Sequence, residues 1–376
     1  MLLIPVGCPY PSEEAECLGY TENIYDPLLD LYEPEMKTAD VAGIFEALKT
    51  ELVPLIKQIS RQQDAVQGIL FQGAFDVDAQ WKFGTAVLKR IGYDFNRGRQ
   101  DISAHPFSVA FSPQDVRITT WLDQNSFTSA FLSSVHECGH ALYEQGIAEA
   151  LARTPLSKGA STAVHESQSR LWENVIGRSR AFWTYFLPIL KSFYPDQLVE
   201  ATIEQAYQAV NVVRLGYIRT EADEVTYNLH VFLRFDLEVE VKDLPELWNE
   251  KMKAYLGLTP PNDALGVLQD VHWSAAFFGY FPTYVLGNVL ALQFYDRLIK
   301  DIPTLPEYIM HGDFSPLLEW LRKHIHIHGA KFTSRELVQR VTGEKINAAP
   351  YAIYFLSPYE VPGSVSNISC NNCKND

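Results

Sequence analysis

Apolar residues recur at steps of three and four along most of the chain, the spacing that places them on one face of an α-helix. The clearest stripe, within 38–59, is formed by Val41, Ile44, Phe45, Leu48 and Leu52. Similar stripes lie in 195–213, 225–240 and 315–329, the last with Ser315 in the position of a helix cap. These patterns predict a mainly α-helical protein.

One stretch, 105–123, has the pattern of β-strands instead. Its apolar and β-branched segments 109–111 and 116–121 flank the turn-like sequence Ser-Pro-Gln-Asp at 112–115. We therefore expect a small antiparallel β-sheet within the helical fold.

The composition is that of a soluble globular protein, with 47% hydrophobic and 20% charged residues. The net charge of −15 and the lack of a basic cluster argue against nucleic acid or an anionic membrane as a partner. The opening segment 1–14 has no basic residue and is interrupted by prolines, so it predicts neither a signal peptide nor a membrane span. The five cysteines are an odd number and indicate no disulfide framework. A cytoplasmic protein is expected.

The sequence SVHECGHALY at 134–143 contains two histidines four residues apart within a predicted helix at 126–145. Residues four apart lie on one helix face, so His136 and His140 can offer ring nitrogens to one metal ion. Glu137 lies beside them, where a carboxylate could act on water without binding the ion. Two buried histidines with ordinary hydrogen bonds are the alternative interpretation.

A catalytic zinc ion usually has three protein ligands, so a third is needed. The next predicted helix, 161–177, carries His165 and Glu166, and either side chain could serve by its chemistry. Without further support, the segment could also be a solvated helix face.

Six short motifs occur in order along the chain. They are HPF at 105–107, DVRIT at 115–119, HECGH at 136–140, HESQ at 165–168, IRTEAD at 218–223 and GVLQDVHW at 266–273. In this order they resemble the Taq-type metallocarboxypeptidases, zinc-dependent enzymes that remove C-terminal residues from peptides. Each motif alone is weak to moderate, but all six together are very specific.

The resemblance implies a role for each matching residue. His136, His140 and Glu166 would bind one zinc ion per chain, with cobalt as the alternative metal, and Glu137 would be the general acid and base. It also implies a helical, zincin-like fold with a deep groove and a small sheet near the metal. The partners would be peptides with a free C-terminus, accepted broadly, and a second copy in a homodimer.

The likeness runs from about residue 25 to about residue 343, which predicts three parts of the chain. An atypical N-terminal segment (1–24) precedes the catalytic domain (25–343), and an atypical, partly disordered tail (344–376) follows. Family members usually carry further helices before the first matched segment. A truncated, catalytically impaired metal-binding protein is therefore the alternative to an active carboxypeptidase.

Arg219 is the candidate receptor for the carboxylate of a peptide C-terminus. A guanidinium can hold a carboxylate through two parallel hydrogen bonds, and the family motif indicates the same residue. A structural ion pair with Asp223 or Glu224 is the alternative role.

Arg117, in the strand segment, competes with Arg219 for this role. It could equally pair with Asp115 or Asp123. His105, in the first motif, completes the set of candidate substrate-binding residues.

His272 and Tyr284 are candidate catalytic residues that could polarise the scissile carbonyl or steady the oxyanion. Tyr280 could do the same, and packing in the core is the alternative for all three. The sequence HIHIH at 324–328 resembles a metal-binding tract but is interpreted as a solvated helix face, since only His324 and His328 share a side of a helix.

Overall fold

The computed structural model describes residues 9–60, 70–240 and 244–356. Within these ranges the chain is mainly helical, as the apolar periodicity predicts, and contains one small β-sheet. The helices are α1 (Pro9–Leu18), α2 (Asp26–Asp30), α3 (Thr38–Ser60), α4 (Val77–Ile91), α5 (Phe127–Gly146), α6 (Thr162–Arg170), α7 (Arg180–Phe193), α8 (Pro195–Leu198), α9 (Ile203–Val210), α10 (Tyr227–Glu240), α11 (Leu244–Leu256), α12 (Pro282–Asp301), α13 (Leu305–Met310), α14 (Ser315–His324), α15 (Ser334–Thr342) and α16 (Ala349–Leu356). The strands are β1 (Gln100–Ile102), β2 (Ser108–Ser112) and β3 (Asp115–Thr120).

The stripe predicted in 38–59 faces the core. Val41, Phe45, Leu48 and Leu52 of α3 are buried, and α3 packs against α10 and α11. Burial of this one face, rather than helix propensity alone, stabilises so long a helix in the folded protein.

Two of the predicted stripes are divided in the structure. The segment 195–213 forms α8 and α9, because Thr202 and Gln205 make a capping box that starts a new helix. In 315–329, α14 ends at His324 because the backbone of Ile325 (φ −124°, ψ −63°) leaves the helical region. Ser315 is the first residue of α14 and not its cap, because the cap position is Phe314. The N–H of Ser315 donates to the carboxylate of Asp313.

The predicted hairpin is confirmed, but the sheet is not wholly antiparallel. Strand β3 lies in the centre, paired antiparallel with β2 and parallel with β1, where Gln100 is opposite Ile118. A strand of three residues such as β1 is too short to show alternation in the sequence, which is why it was missed. Val116 and Ile118 are buried on β3, and α5 packs against this strand.

Three helices at the centre of the protein position the candidate site. Helix α6 packs against both α5 and α12, and most residues of these three helices are buried. In the part of the chain that the structure describes, none of the helices combines the length and apolar character needed to cross a membrane.

Ordered structure extends on both sides of the predicted catalytic domain. Helix α1 lies within 1–24, and α16 lies within 344–376, where Tyr351 and Phe355 are buried and α16 packs against α12 and α3. The end of the tail predicted to be disordered, 357–376, lies outside the described residues. The boundaries at residues 24 and 343 stay a prediction.

Candidate metal centre

His136, His140 and Glu166 meet at the contact between α5 and α6. His136 and His140 lie one turn apart on α5, with ring centroids separated by 4.9 Å. The Glu166 oxygen Oε2 lies 3.8 Å from His136 Nε2 and 3.6 Å from His140 Nε2. One potential ligand atom from each of the three side chains lies within 4.8 Å of the other two. In the described ranges, no other group of three His, Cys, Asp or Glu side chains brings its ligand atoms this close together.

The hydrogen bonds of the two histidines leave the converging atoms available. His136 Nδ1 lies 2.8 Å from Glu173 Oε2, and His140 Nδ1 lies 2.6 Å from His165 Nδ1. The Nε2 atoms therefore face Glu166, the usual arrangement when a second shell orients histidine ligands. Two imidazole nitrogens and one carboxylate oxygen fit the ligand set of a divalent ion such as zinc.

His165 lies behind His140 and not in the converging set. Its Nε2 is 2.8 Å from Oε1 of Glu144, so the imidazole bridges Glu144 and His140. Of the two residues that the sequence offered as the third ligand, the structure brings Glu166 to the histidine pair.

Arg170 links two carboxylates around this trio. Its Nε donates to Glu166 Oε1 at 2.8 Å, and its Nη1 donates to Glu173 Oε2 at 3.1 Å. Burial would raise the pKa of Glu173, but Arg170, His136 and Arg178 hold that pKa well below its usual range. Glu166 thus keeps Oε2 directed at the histidines while Oε1 is held by a guanidinium.

The two histidines differ in their electrostatic surroundings. Burial alone would lower the pKa of His136, but the carboxylates of Glu166 and Glu173 raise it above its ordinary value. The pKa of His140 is lowered well below its ordinary value by burial and then by its neighbours His165 and His136. The His140 ring is therefore neutral at neutral pH, the form in which imidazole binds a metal.

Glu137 follows His136 on α5 and borders the same space. Only 8% of its surface is exposed, and this burial raises the pKa of its carboxyl to about 7. A carboxyl with a pKa near neutrality can both accept and donate a proton, as a general acid and base requires.

A cavity of about 500 Å³ opens beside the trio. Its lining includes several residues that the sequence analysis selected, namely His105, His136, Glu137, His140, His165, Glu166, Arg219, Tyr280 and Tyr284. Arg117 and His272 are outside this lining.

The family that the six sequence motifs indicated is also found by comparison with known proteins, over nearly the whole chain. The sequence profile described as carboxypeptidase Taq (M32) metallopeptidase matches residues 10–359. The chain belongs to this family.

Relatives within the M32 family are similar in sequence and fold. The chain is 40% identical to carboxypeptidase 1 of Bacillus subtilis, covering 90% of this chain and 69% of the relative. It is 42% identical to thermostable carboxypeptidase 1 of Thermus thermophilus, covering 89% and 67% respectively. The crystal structure of the M32 carboxypeptidase from Deinococcus radiodurans superposes with a TM-score of 0.89 at 41% identity, covering 92% of this chain and 71% of that one.

Arg219 of this M32 chain is buried and already paired, but with neither of the acids suggested by the sequence. Its Nε and Nη2 donate to Oδ1 of Asp270 at 3.1 and 2.8 Å, and its Nη1 donates to the Tyr227 hydroxyl at 2.8 Å. The other oxygen of Asp270 accepts from Nε of Arg234 at 2.5 Å. Burial would raise the pKa of Asp270, but the two guanidinium groups lower it to about 2.

Arg117 lies on β3, outside the cavity lining. Its guanidinium is exposed and makes two hydrogen bonds to Asp115, at 2.8 and 2.7 Å, and it also lies over the ring of Phe111. One of the two structural partners suggested by the sequence is therefore the one observed.

His272 lies behind Tyr284, which lines the cavity. His272 Nε2 is 3.2 Å from the Tyr284 hydroxyl, and its ring packs on Phe281 with a centroid separation of 4.4 Å. Burial, followed by the charge of Arg219, lowers the pKa of His272 to about 4. The imidazole is neutral at neutral pH and supports Tyr284 rather than bordering the cavity itself.

Sequence reasoning missed several residues that support the centre. Arg170 and Glu173 follow Glu166 by four and seven positions, a helical spacing that could have indicated them; Glu173 lies in a π-helical turn at Leu171–Ile176. His326 has no such local signal. It is fully buried rather than solvated, and its Nε2 lies 2.9 Å from Oε1 of Gln168 on α6.

Proposed function

We propose that this M32 family member is a metal-dependent carboxypeptidase that removes C-terminal amino acids from peptides with broad specificity. The convergence of His136, His140 and Glu166 beside a cavity of about 500 Å³ is the observation that carries the proposal. Family membership supports it, because the relatives described above are named carboxypeptidases.

His136, His140 and Glu166 would hold one divalent ion in each chain. Two imidazoles and a carboxylate favour zinc, with cobalt as an alternative, since both accept nitrogen and oxygen ligands. When bound, such an ion supplies Lewis acidity, which lowers the pKa of water and polarises a carbonyl group.

Glu137 would move the proton during peptide hydrolysis. Its carboxylate accepts a proton from the attacking water and then delivers it to the nitrogen of the leaving amine. Its place at the cavity wall, one residue from His136, supports this role. Because it is not in the converging trio, its loss should leave metal binding intact.

Arg219 would receive the terminal carboxylate of the peptide. Its hydrogen bonds within the described structure use three of the roughly five N–H groups of a guanidinium, so about two remain for a ligand. Arg117 is the alternative receptor, although it lies outside the cavity lining.

Tyr284 and His105 would contact the substrate from the cavity wall. The Tyr284 hydroxyl can donate to a carbonyl oxygen that gains negative charge, while the neutral imidazole of His272 orients the phenol. His272 would thus serve the reaction through Tyr284. A homodimer and a cytoplasmic location are further proposals that the family resemblance and the composition support.

A substrate comparison tests the proposal. Zinc-loaded protein is incubated with a free-acid peptide, with the same peptide as its C-terminal amide, and with a peptide blocked at both ends. We expect trimming of the free acid, weak action on the amide, and none on the blocked peptide. Cleavage of the blocked peptide would indicate an endopeptidase, and no cleavage with zinc bound would indicate an inactive metal-binding protein.

Glu137→Gln is the matched variant for this assay. It should lower turnover by a factor on the order of 10² to 10⁴, because the transferable proton is lost. Its zinc content, measured by atomic absorption, should stay at the wild-type value. Loss of zinc in this variant would show that Glu137 is structural.

A further inference from the structure

Two glycines face α6, the helix that carries Glu166, from opposite neighbours. Gly139 lies on α5 between the two candidate histidine ligands, and Gly287 lies on α12. Both glycines are in close contact with α6, so a larger side chain at either position would limit how closely α5 or α12 can pack against α6.

A methyl group at Gly287 would collide with Glu166 itself. It would lie 2.5 Å from Cγ and 2.6 Å from Cβ of that side chain, and 3.3 Å from the carbonyl oxygen of Ala163. Carbon atoms in contact normally stand about 3.5 to 4.0 Å apart. Because the crowded atoms are at the base of the side chain, Glu166 cannot turn away without moving its carboxylate.

A methyl group at Gly139 would collide with the backbone of α6. It would lie 2.6 Å from Cα of Ser169, 2.8 Å from the carbonyl oxygen of Gln168 and 3.0 Å from the amide nitrogen of Ser169. Side-chain rotation cannot relieve these contacts, so α6 as a whole would have to move away from α5.

Either movement changes the distance between Glu166 and the histidines. Metal–ligand distances are tolerated only within about 0.2 Å of their preferred values. The two overlaps are each larger than this tolerance, since the crowded atoms stand about 1 Å inside normal contact.

We propose that Gly287 and Gly139 are positioning residues for the third metal ligand: their missing side chains set α6 at the depth where Glu166 reaches His136 and His140. This inference rests on the proposed metal site. Gly287 acts on the ligand side chain and Gly139 on the helix that carries it.

The test measures metal affinity in Gly287→Ala by titrating the metal-free protein with Zn²⁺ against a chelating indicator. The visible absorption of the Co²⁺-loaded protein reports the ligand set, and thermal unfolding of the metal-free protein reports general damage. Gly84→Ala is the control for an uncrowded helical glycine, because nothing lies within 4 Å of its added methyl. Gly312→Ala is the crowded control, whose methyl would meet the ring of Tyr185 on α7, a residue outside the candidate ligand set.

We expect Gly287→Ala to bind Zn²⁺ at least about ten-fold more weakly than wild type and to show an altered Co²⁺ spectrum. Gly84→Ala should match wild type, and Gly312→Ala should lose thermal stability with a smaller change in affinity. An affinity of Gly287→Ala within about two-fold of wild type, or an equal loss in Gly312→Ala, would overturn the proposal.

Two further outcomes distinguish a failure of this inference from misfolding of the variant and from failure of the proposed function. If Gly287→Ala does not fold, the double variant Gly287→Ala with Glu166→Gly, which removes the atoms that the new methyl meets, should fold. If the double variant also fails, the crowding does not act through Glu166 and the proposal is wrong. If wild type itself binds no Zn²⁺, the proposed function fails instead.

Discussion

The two sides of the cavity differ in where their charges find partners. On the metal side, Glu166 and the two histidines lie on adjacent helices, and their free atoms face one another at 3.6 and 3.8 Å. On the substrate side, the charge of Arg219 is already met by Asp270, which is distant in sequence. The metal side therefore presents ligand atoms to an ion, whereas the substrate side presents a guanidinium whose orientation the protein has already set.

This difference shows how a buried arginine can still serve a substrate. An unpaired guanidinium in a buried position would be costly. Asp270 offsets that cost and accepts from only part of the N–H groups of Arg219. Pairing also holds the guanidinium in place before substrate arrives, which reduces the loss of side-chain freedom on binding. The comparison leads to four further predictions.

Glu166→Ala should have the largest effect, since it removes a converging ligand. We expect almost complete loss of bound zinc and of activity at stoichiometric metal. His165→Ala removes only support behind His140, so zinc affinity should fall by about 10- to 100-fold and excess zinc should restore occupancy. Equilibrium dialysis measures both, and a greater loss in His165→Ala would reverse the assignment of the third ligand.

Asp270→Asn should destabilise the fold, because it leaves Arg219 and Arg234 buried beside a neutral side chain. Breaking a buried ion pair in this way costs about 3–5 kcal/mol, measured as the free energy of unfolding in urea. Asp115→Asn breaks the exposed pair with Arg117 and should leave that free energy unchanged. If the two variants lose similar free energy of unfolding, the buried ion pair of Arg219 contributes no more to stability than the exposed pair of Arg117.

Arg219→Lys should weaken recognition of the terminal carboxylate, since it keeps a positive charge but loses the two-pronged donor. Hydrogen bonds to charged groups contribute about 1.5–3 kcal/mol, so kcat/KM for free-acid peptides should fall by roughly 10- to 150-fold. The preference for free acids over amides should fall with it, while zinc content stays unchanged. A variant that still prefers free acids as wild type does would transfer the role to Arg117 or another cation.

His272 should have no effect on stability at neutral pH, and its contribution is a dependence of stability on acid pH. Its pKa is about 4 in the folded protein against an ordinary value of 6.5, so between these pH values the unfolded chain binds a proton that the folded protein does not. The contribution is absent above pH 6.5 and destabilises the fold increasingly as the pH falls towards 4.

His272→Asn removes this titration and should therefore lose less stability than wild type over the same pH interval. Urea unfolding at several pH values measures the two slopes. Equal slopes would show that His272 does not carry the acid sensitivity, and buried His230, whose pKa is also lowered well below its ordinary value, would be the next residue to test.

Local patterns in the sequence were sufficient for α3, α5, α6 and α10, for the β2–β3 hairpin and for the histidine pair. Each depends on residues a few positions apart: the stripe in α3, the alternation in 105–123, and the four-residue spacing of His136 and His140. Helix ends were less predictable, as the division of 195–213 shows, because a capping box at Thr202 interrupts an otherwise continuous apolar stripe.

The sequence by itself thus determined the mainly helical class, the motif that supplies two of the three converging ligands, and the resemblance that implies the third. Only the tertiary structure showed that Glu166 faces the Nε2 atoms of both histidines, whereas His165 contacts Nδ1 of His140. It decided that Arg219 pairs with Asp270 and that Arg117 lies outside the cavity lining. It also decided that β1 joins the sheet in parallel and that Gly287 of α12 touches Glu166 of α6. The physical reason is range: helical and strand periodicity depends on neighbouring residues, whereas these contacts join residues tens to more than a hundred positions apart whose meeting depends on how the helices pack.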